Sequence, residues 1–126
     1  MNIRTATIKD LEAVTSVEAE CFPPAEAATR EELAERLKYY ADHFWLMFDG
    51  DKLIAFVDGF VTDEENLTDE MYAKAQLHNE SGAWQMIFGV NTIPAFIQKT
   101  WVCRRVDQMC DRRCKKAGKK RISAYL

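Results

Sequence analysis

The sequence predicts a single α/β domain built on a mixed sheet of the α+β kind. Three observations predict it. Runs of β-branched and aromatic residues of strand length alternate with segments whose apolar residues recur at helical spacing. Asp49-Gly50-Asp51 joins two apolar runs, a strong hairpin signal. The 126 residues suffice for one core and not for two.

Taken in order, Asn2–Ile8 alternates and is β-branched, so it reads as the first strand. Thr7 stands three residues before Asp10 and opens a helix through Leu11, Val14 and Val17 to about Cys21. Phe22-Pro23-Pro24 ends it, because proline cannot continue the turn and disfavours helical backbone in the residue before it. Thr29 with Glu32 is a second capping box. Leu33, Leu37 and Tyr40 then supply the apolar stripe of a helix to about Asp42. The outer faces of both helices are densely acidic, which reads as solvation. Phe44–Phe48 and Lys52–Val61 are the two strands of the hairpin. The acidic stretch Thr62–His78, with a short helical set at Met71 and Ala75, is long for a connection and is a candidate lid or substrate wall. Ala83–Pro94 reads as a buried central strand, with Gly89 marking a bulge or a close backbone approach. A basic helical tail follows, and Ile122–Leu126 is expected as a last strand.

Composition narrows the function. Neither an apolar signal region nor a run of membrane-spanning length is present, so a cytoplasmic protein with no membrane partner is expected. The four cysteines form no Cys-x-x-Cys pair, and His43 and His78 form no recognisable zinc pattern. Reduced thiols and no metal follow. Residues 1–97 carry 7 Lys+Arg against 18 Asp+Glu, a net of −11, whereas residues 98–126 carry 10 against 2, a net of +8.

The order β-α-α-β-β-long loop-β, ending in Phe88-Gly-Val-Asn-Thr-Ile-Pro94, resembles the first four strands of the GCN5-related N-acetyltransferase (GNAT) family. Glu18–Ala28 further resembles the loop that forms part of the amine site in its aralkylamine (serotonin-type) branch. The resemblance covers residues 1–94 and implies an acyl-CoA N-acyltransferase fold, truncated in its C-terminal half. It implies direct transfer from acetyl-CoA to a small amine, aromatic or not, without a covalent enzyme intermediate. In that family the fourth strand splays from the fifth, and its free main-chain groups pair with pantetheine as an added strand would. Val90, Asn91 and Thr92 would supply those contacts, with Gly89 at the bulge. Phe22, Pro23, Trp84 and Phe88 would line an apolar amine pocket, or else pack in the core. Glu18, Glu20 and Glu26 are candidate water-relay carboxylates beside it, with surface solvation as the other reading. No catalytic residue carries over: the family's thiolate-protonating tyrosine lies beyond this chain's end, and Tyr125 stands in altered sequence.

The family's pyrophosphate loop, Arg/Gln-x-x-Gly-x-Gly/Ala, offers clustered backbone N–H groups at a helix start. Here the corresponding stretch contains no glycine before Gly118, and Trp101 and Val102 occupy its place. Reading the codons one nucleotide later changes this. Trp101 followed by valine forces GGG, a glycine codon, at the required position, and permitted wobble bases give the rest of the loop, its helix and the start of a fifth strand. A frameshift near codons 94–97 is therefore expected, with residues from about 95 read out of frame. The competing reading is a genuine basic helix, with Val102, Val106, Met109 and Cys110 inward and Gln98, Lys99 and Arg104 as a weak anion site. Loss of later strands would expose the sheet's edge and favour a homodimer. From a different class, the alternative is a non-catalytic interaction module whose basic tail binds nucleic acid or an acidic partner. The tail lacks a known nucleic-acid-reading motif, which disfavours the nucleic-acid form of that alternative.

Overall fold

The chain threads a hairpin-centred sheet whose last two strands are pried apart, as seen in a computed structural model that describes residues 2–64, 69–96 and 120–123. Strand β1 (Asn2–Thr5) pairs antiparallel with β2 (Phe44–Asp49), and β2 with β3 (Lys52–Asp58). β1 ends earlier than its sequence pattern suggests. The Thr7 capping box with Asp10 pulls Ile8 into a 3-10 turn, where its side chain is exposed. Helix α1 (Leu11–Cys21) follows, and Phe22 leaves it in extended conformation ahead of the two prolines. Helix α2 (Arg30–Tyr40) starts at the Thr29–Glu32 capping box and ends in a 3-10 turn over Ala41–His43. The hairpin loop is as expected: Asp49 faces Lys52, and Gly50 takes the positive φ of 61° that the turn requires.

Both runs expected as single strands are interrupted. Lys52–Val61 divides into β3 and β4 (Val61–Thr62), and Ala83–Pro94 into β5 (Trp84–Ile87) and β6 (Gly89–Thr92). The two breaks face each other. β6 pairs with β3, β5 with β4, and the register between them shifts by one residue. Two sheets result, ordered β1-β2-β3-β6 and β4-β5-β7, where β7 (Lys120–Ser123) runs parallel to β5. The last strand therefore lies two residues earlier than Ile122–Leu126. The expected tail helix, with its cysteines and its arginines, lies outside the described residues.

Helix α1 lies against α2, β3 and β6, and the stripes Val14, Val17 and Leu33, Leu37, Tyr40 close over Phe44, Leu46, Ile54, Phe56 and Phe60. Each such side chain contributes about 1.5–3 kcal/mol when fully removed from water. Between β4 and β5 the acidic excursion forms helix α3 (Asp69–Ala73) and a 3-10 turn (Ala75–Leu77), anchored through buried Met71 and Ala75.

Candidate active site

The strand breaks shape a cleft of about 450 Å³, bounded by the end of α1, the α1–α2 connection, the inner face of α2, β3, β6 and Tyr72 of α3. At its floor the Phe88 N–H donates to the Asp58 carbonyl at 2.8 Å, while Gly89 is the register partner of the same Asp58. Two residues thus oppose one, the definition of a β-bulge. Beyond it, the Ile93 N–H bonds the Ile54 carbonyl at 3.0 Å. By the alternation of an antiparallel pair, the main-chain groups of Val90 and Thr92 point away from β3, and those of Asn91 point toward it. Among the described residues β6 is the terminal strand of its sheet and β7 pairs only with β5, so the sheet forks at this edge. The Thr92 carbonyl accepts the Cys21 thiol at 3.3 Å.

Asp58 is the centre of the floor. Its Oδ2 accepts from Arg36 Nη1 at 3.3 Å, and both side chains are more than nine-tenths buried. Burial raises the Asp58 carboxyl, Arg36 pulls it down, Glu18 pushes it up, and the result is about 6. Arg36 Nη2 donates to the Tyr72 carbonyl at 3.1 Å, its guanidinium carbon stands 5.6 Å from the centre of the Phe88 ring, and its Nε has no partner among the described residues. Glu18 joins three elements: Oε2 accepts the Ala28 N–H at 2.8 Å, and Oε1 accepts Asn91 Nδ2 at 2.6 Å. The cleft thus holds a near-neutral carboxylate, an orphaned N–H donor, aromatic walls and an open backbone edge.

Of the residues singled out in the sequence, Phe22, Phe88 and Asn91 line this cleft, as do Glu18 and Glu26. Pro23 and Trp84 are not among the lining residues. The Pro23 carbonyl accepts the N–H groups of Glu26 and Ala27, and Trp84 stands at the far end of β5 opposite Thr62. Glu20 is exposed away from the cleft. Asp58, Arg36 and Tyr72 were not foreseen. A signal for the first two exists: Asp58 is the one charged residue within Leu53–Val61, and Arg36 shares the apolar stripe of α2. A charge in each of two buried faces calls for a partner.

No protein-family model matches the chain, and no curated protein matches it. Solved structures do. The loading GNATL domain of CurA from Lyngbya majuscula superposes with a TM-score of 0.85 at 21% identity, covering 99% of this chain and 64% of that one. The chain has the GNAT fold. A GNAT-like decarboxylase, GphF, in complex with isobutyryl-CoA follows at a TM-score of 0.71 and 24% identity, covering 84% of this chain and 57% of that one. AAC(6')-Iy in complex with a CoA-S-monomethyl-acetylneamine bisubstrate analogue gives 0.68 at 17% identity, covering 99% and 79%. The chain spans less than two thirds of the length of the first two.

Proposed function

We propose that the chain binds an acyl-CoA along the open edge of β6 and transfers its acyl group to a small amine held in the cleft. One observation carries this reading: the Phe88–Gly89 bulge sets the outer edge of β6, the terminal strand of its sheet among the described residues, beside buried Asp58. The main chain of Val90 and the Thr92 N–H would pair with the pantetheine amides, the Thr92 carbonyl being held by Cys21, and Asn91 would hold the loop above the amine through Glu18. Phe22, Tyr72 and Phe88 give the amine an apolar wall, in keeping with the resemblance to the aralkylamine branch. Asp58 takes the proton from the ammonium form of the substrate. The free nitrogen attacks the thioester carbon directly, the N–C bond forms, the C–S bond breaks, and the second proton shed by nitrogen is available to the departing thiolate. Acetyl-CoA is the proposed co-substrate, and the setting is cytoplasmic.

The pyrophosphate end is the weak part of this design, because residues 95–117 contain no glycine. We therefore propose weak turnover for this polypeptide and a frameshifted gene behind it. Sequencing the coding DNA and finding no glycine-rich reading in the shifted frame would remove the second proposal. A homodimer through an exposed sheet edge is the proposed assembly, and sedimentation at several concentrations tests it.

Calorimetric titration with acetyl-CoA at low and moderate salt tests the site itself. Saturable one-to-one binding that persists at the higher salt is the expected result. Absence of any acetyl-CoA binding, or binding lost entirely on screening, would overturn the reading.

A further inference from the structure

His43 and His78, distant in sequence, meet at Glu80, outside the cleft. His43 Nε2 and His78 Nε2 each lie 2.9 Å from the same Glu80 Oε2, and the two ring centres are 5.2 Å apart. Two histidines and a carboxylate with ligand atoms within 4.8 Å of one another form a donor set that zinc accepts. The hydrogen bonds decide otherwise. The Val61 N–H donates to His78 Nδ1 at 3.0 Å, so the ring hydrogen of neutral His78 is on Nε2, which donates to Glu80 and has no lone pair for a cation. Gln85 Nε2 donates to the carbonyls of Gly59 and Met86 at 2.8 Å and approaches that of Phe60 at 3.3 Å, which fixes the amide. Its Oε1 must then accept at 2.6 Å from His43 Nδ1, which carries a hydrogen. His43 Nε2 therefore faces a carboxylate oxygen at 2.9 Å, a contact that two lone pairs would not sustain. A proton lies between them.

We infer that His43, Glu80 and His78 form a proton-operated clasp that fastens the excursion between β4 and β5, and with it the Tyr72 wall of the cleft. The excursion is held in its middle by Arg36 on the Tyr72 carbonyl and at its end by the clasp, beside the Asn79 N–H bond to the Val61 carbonyl. Among the described residues, the titratable groups facing His43 are Glu80 and His78, and the Tyr40 ring packs on His78 at 5.6 Å. Trp45 packs edge-on at 6.0 Å and Gln85 is neutral. Among the described residues Glu80 is faced by the two histidines, and the rest of its side chain is exposed. Burial, its largest influence, raises its carboxyl, but the hydrogen bonds and charge of His43 and His78 together hold it below the usual carboxylate range. The clasp is thus closed between two limits. Protonating Glu80 on the acid side removes its charge. Losing the shared proton on the alkaline side sets lone pair against lone pair and releases the end of the excursion.

This inference stands whether or not the chain transfers acyl groups. Its test is imidazole 15N NMR of the full chain across pH, run alongside amide hydrogen exchange. The expected result has three parts: His78 keeps its hydrogen on Nε2, His43 loses its Nε2 proton in one step, and exchange at Tyr72, Lys74 and Leu77 accelerates at least about tenfold across that step. Glu80→Gln should flatten the response, because a neutral amide has no charge to hold the shared proton, and the one atom that faces both rings cannot accept from His78 and donate to His43 at once. Exchange that ignores the His43 step, or an unchanged response in Glu80→Gln, overturns the clasp. So does one-to-one Zn²⁺ binding by the wild type that Glu80→Gln abolishes.

Discussion

A carboxylate with no water around it is normally a weak acid, and Asp58 is such a residue. Its partner Arg36 offsets the burial only in part, and the carboxyl is left at about 6. For the proposed catalysis the sign is direct: Asp58 as a base would be competent when ionised, so kcat/KM should fall as pH drops through about 6. Asp58→Asn should remove that limb and lower kcat/KM by about 10²- to 10⁴-fold, read from acetyl transfer to an arylalkylamine. For stability the sign is opposite to that of most acidic residues. The folded carboxyl is raised from 3.8 to about 6, so its favourable contribution is complete below the lower value and lost as pH rises through the upper one. The unfolding free energy of wild type relative to Asp58→Asn should therefore drop by about 2 kcal/mol between pH 4 and pH 7 in denaturant titrations. Asp10 behaves conventionally. Its bidentate bond to Arg4 holds the carboxyl down, and that stabilisation disappears as pH falls.

Among the elements, the paired breaks in β3–β4 and β5–β6 demand the most of the sequence. A Cβ on Gly59 would stand 1.8 Å from the Met86 carbonyl oxygen, a backbone atom that cannot swing aside. Gly59→Ala should consequently destabilise by at least about 3 kcal/mol, measured as a lower denaturation midpoint, and should loosen the bulge opposite Asp58. Thr29→Ala, which removes the acceptor for the Glu32 N–H at 3.2 Å, should cost about 1 kcal/mol by the same measurement. Capping of this kind is local chemistry, and so both helix starts could be read directly from Thr7–Asp10 and Thr29–Glu32. The hairpin was equally legible because Gly50 answers a steric demand made within four residues. The division of two apolar runs was not. Gly89 hinted at irregularity, but which strand is bulged depends on a register between segments far apart in sequence. The Asp58–Arg36 pair and the meeting of His43 with His78 were hidden for the same reason. Alternation says that a residue is buried, and only the tertiary fold says beside what.

For the molecule as a whole, the fork between β6 and β7 has a thermodynamic meaning. A strand that is terminal among the described residues is a source of fraying, and whatever pairs with it binds the folded chain and not the unfolded one. Occupancy must then raise stability by mass action, by about 2.7 kcal/mol when the ligand stands at a hundred times its Kd. For a domain of this size that corresponds to a rise in Tm of several degrees, visible in a thermal scan with and without acetyl-CoA. The concentration of an extended metabolite would thereby set how long each copy of the chain survives proteolysis, coupling the protein's abundance to the supply of the molecule that completes its sheet.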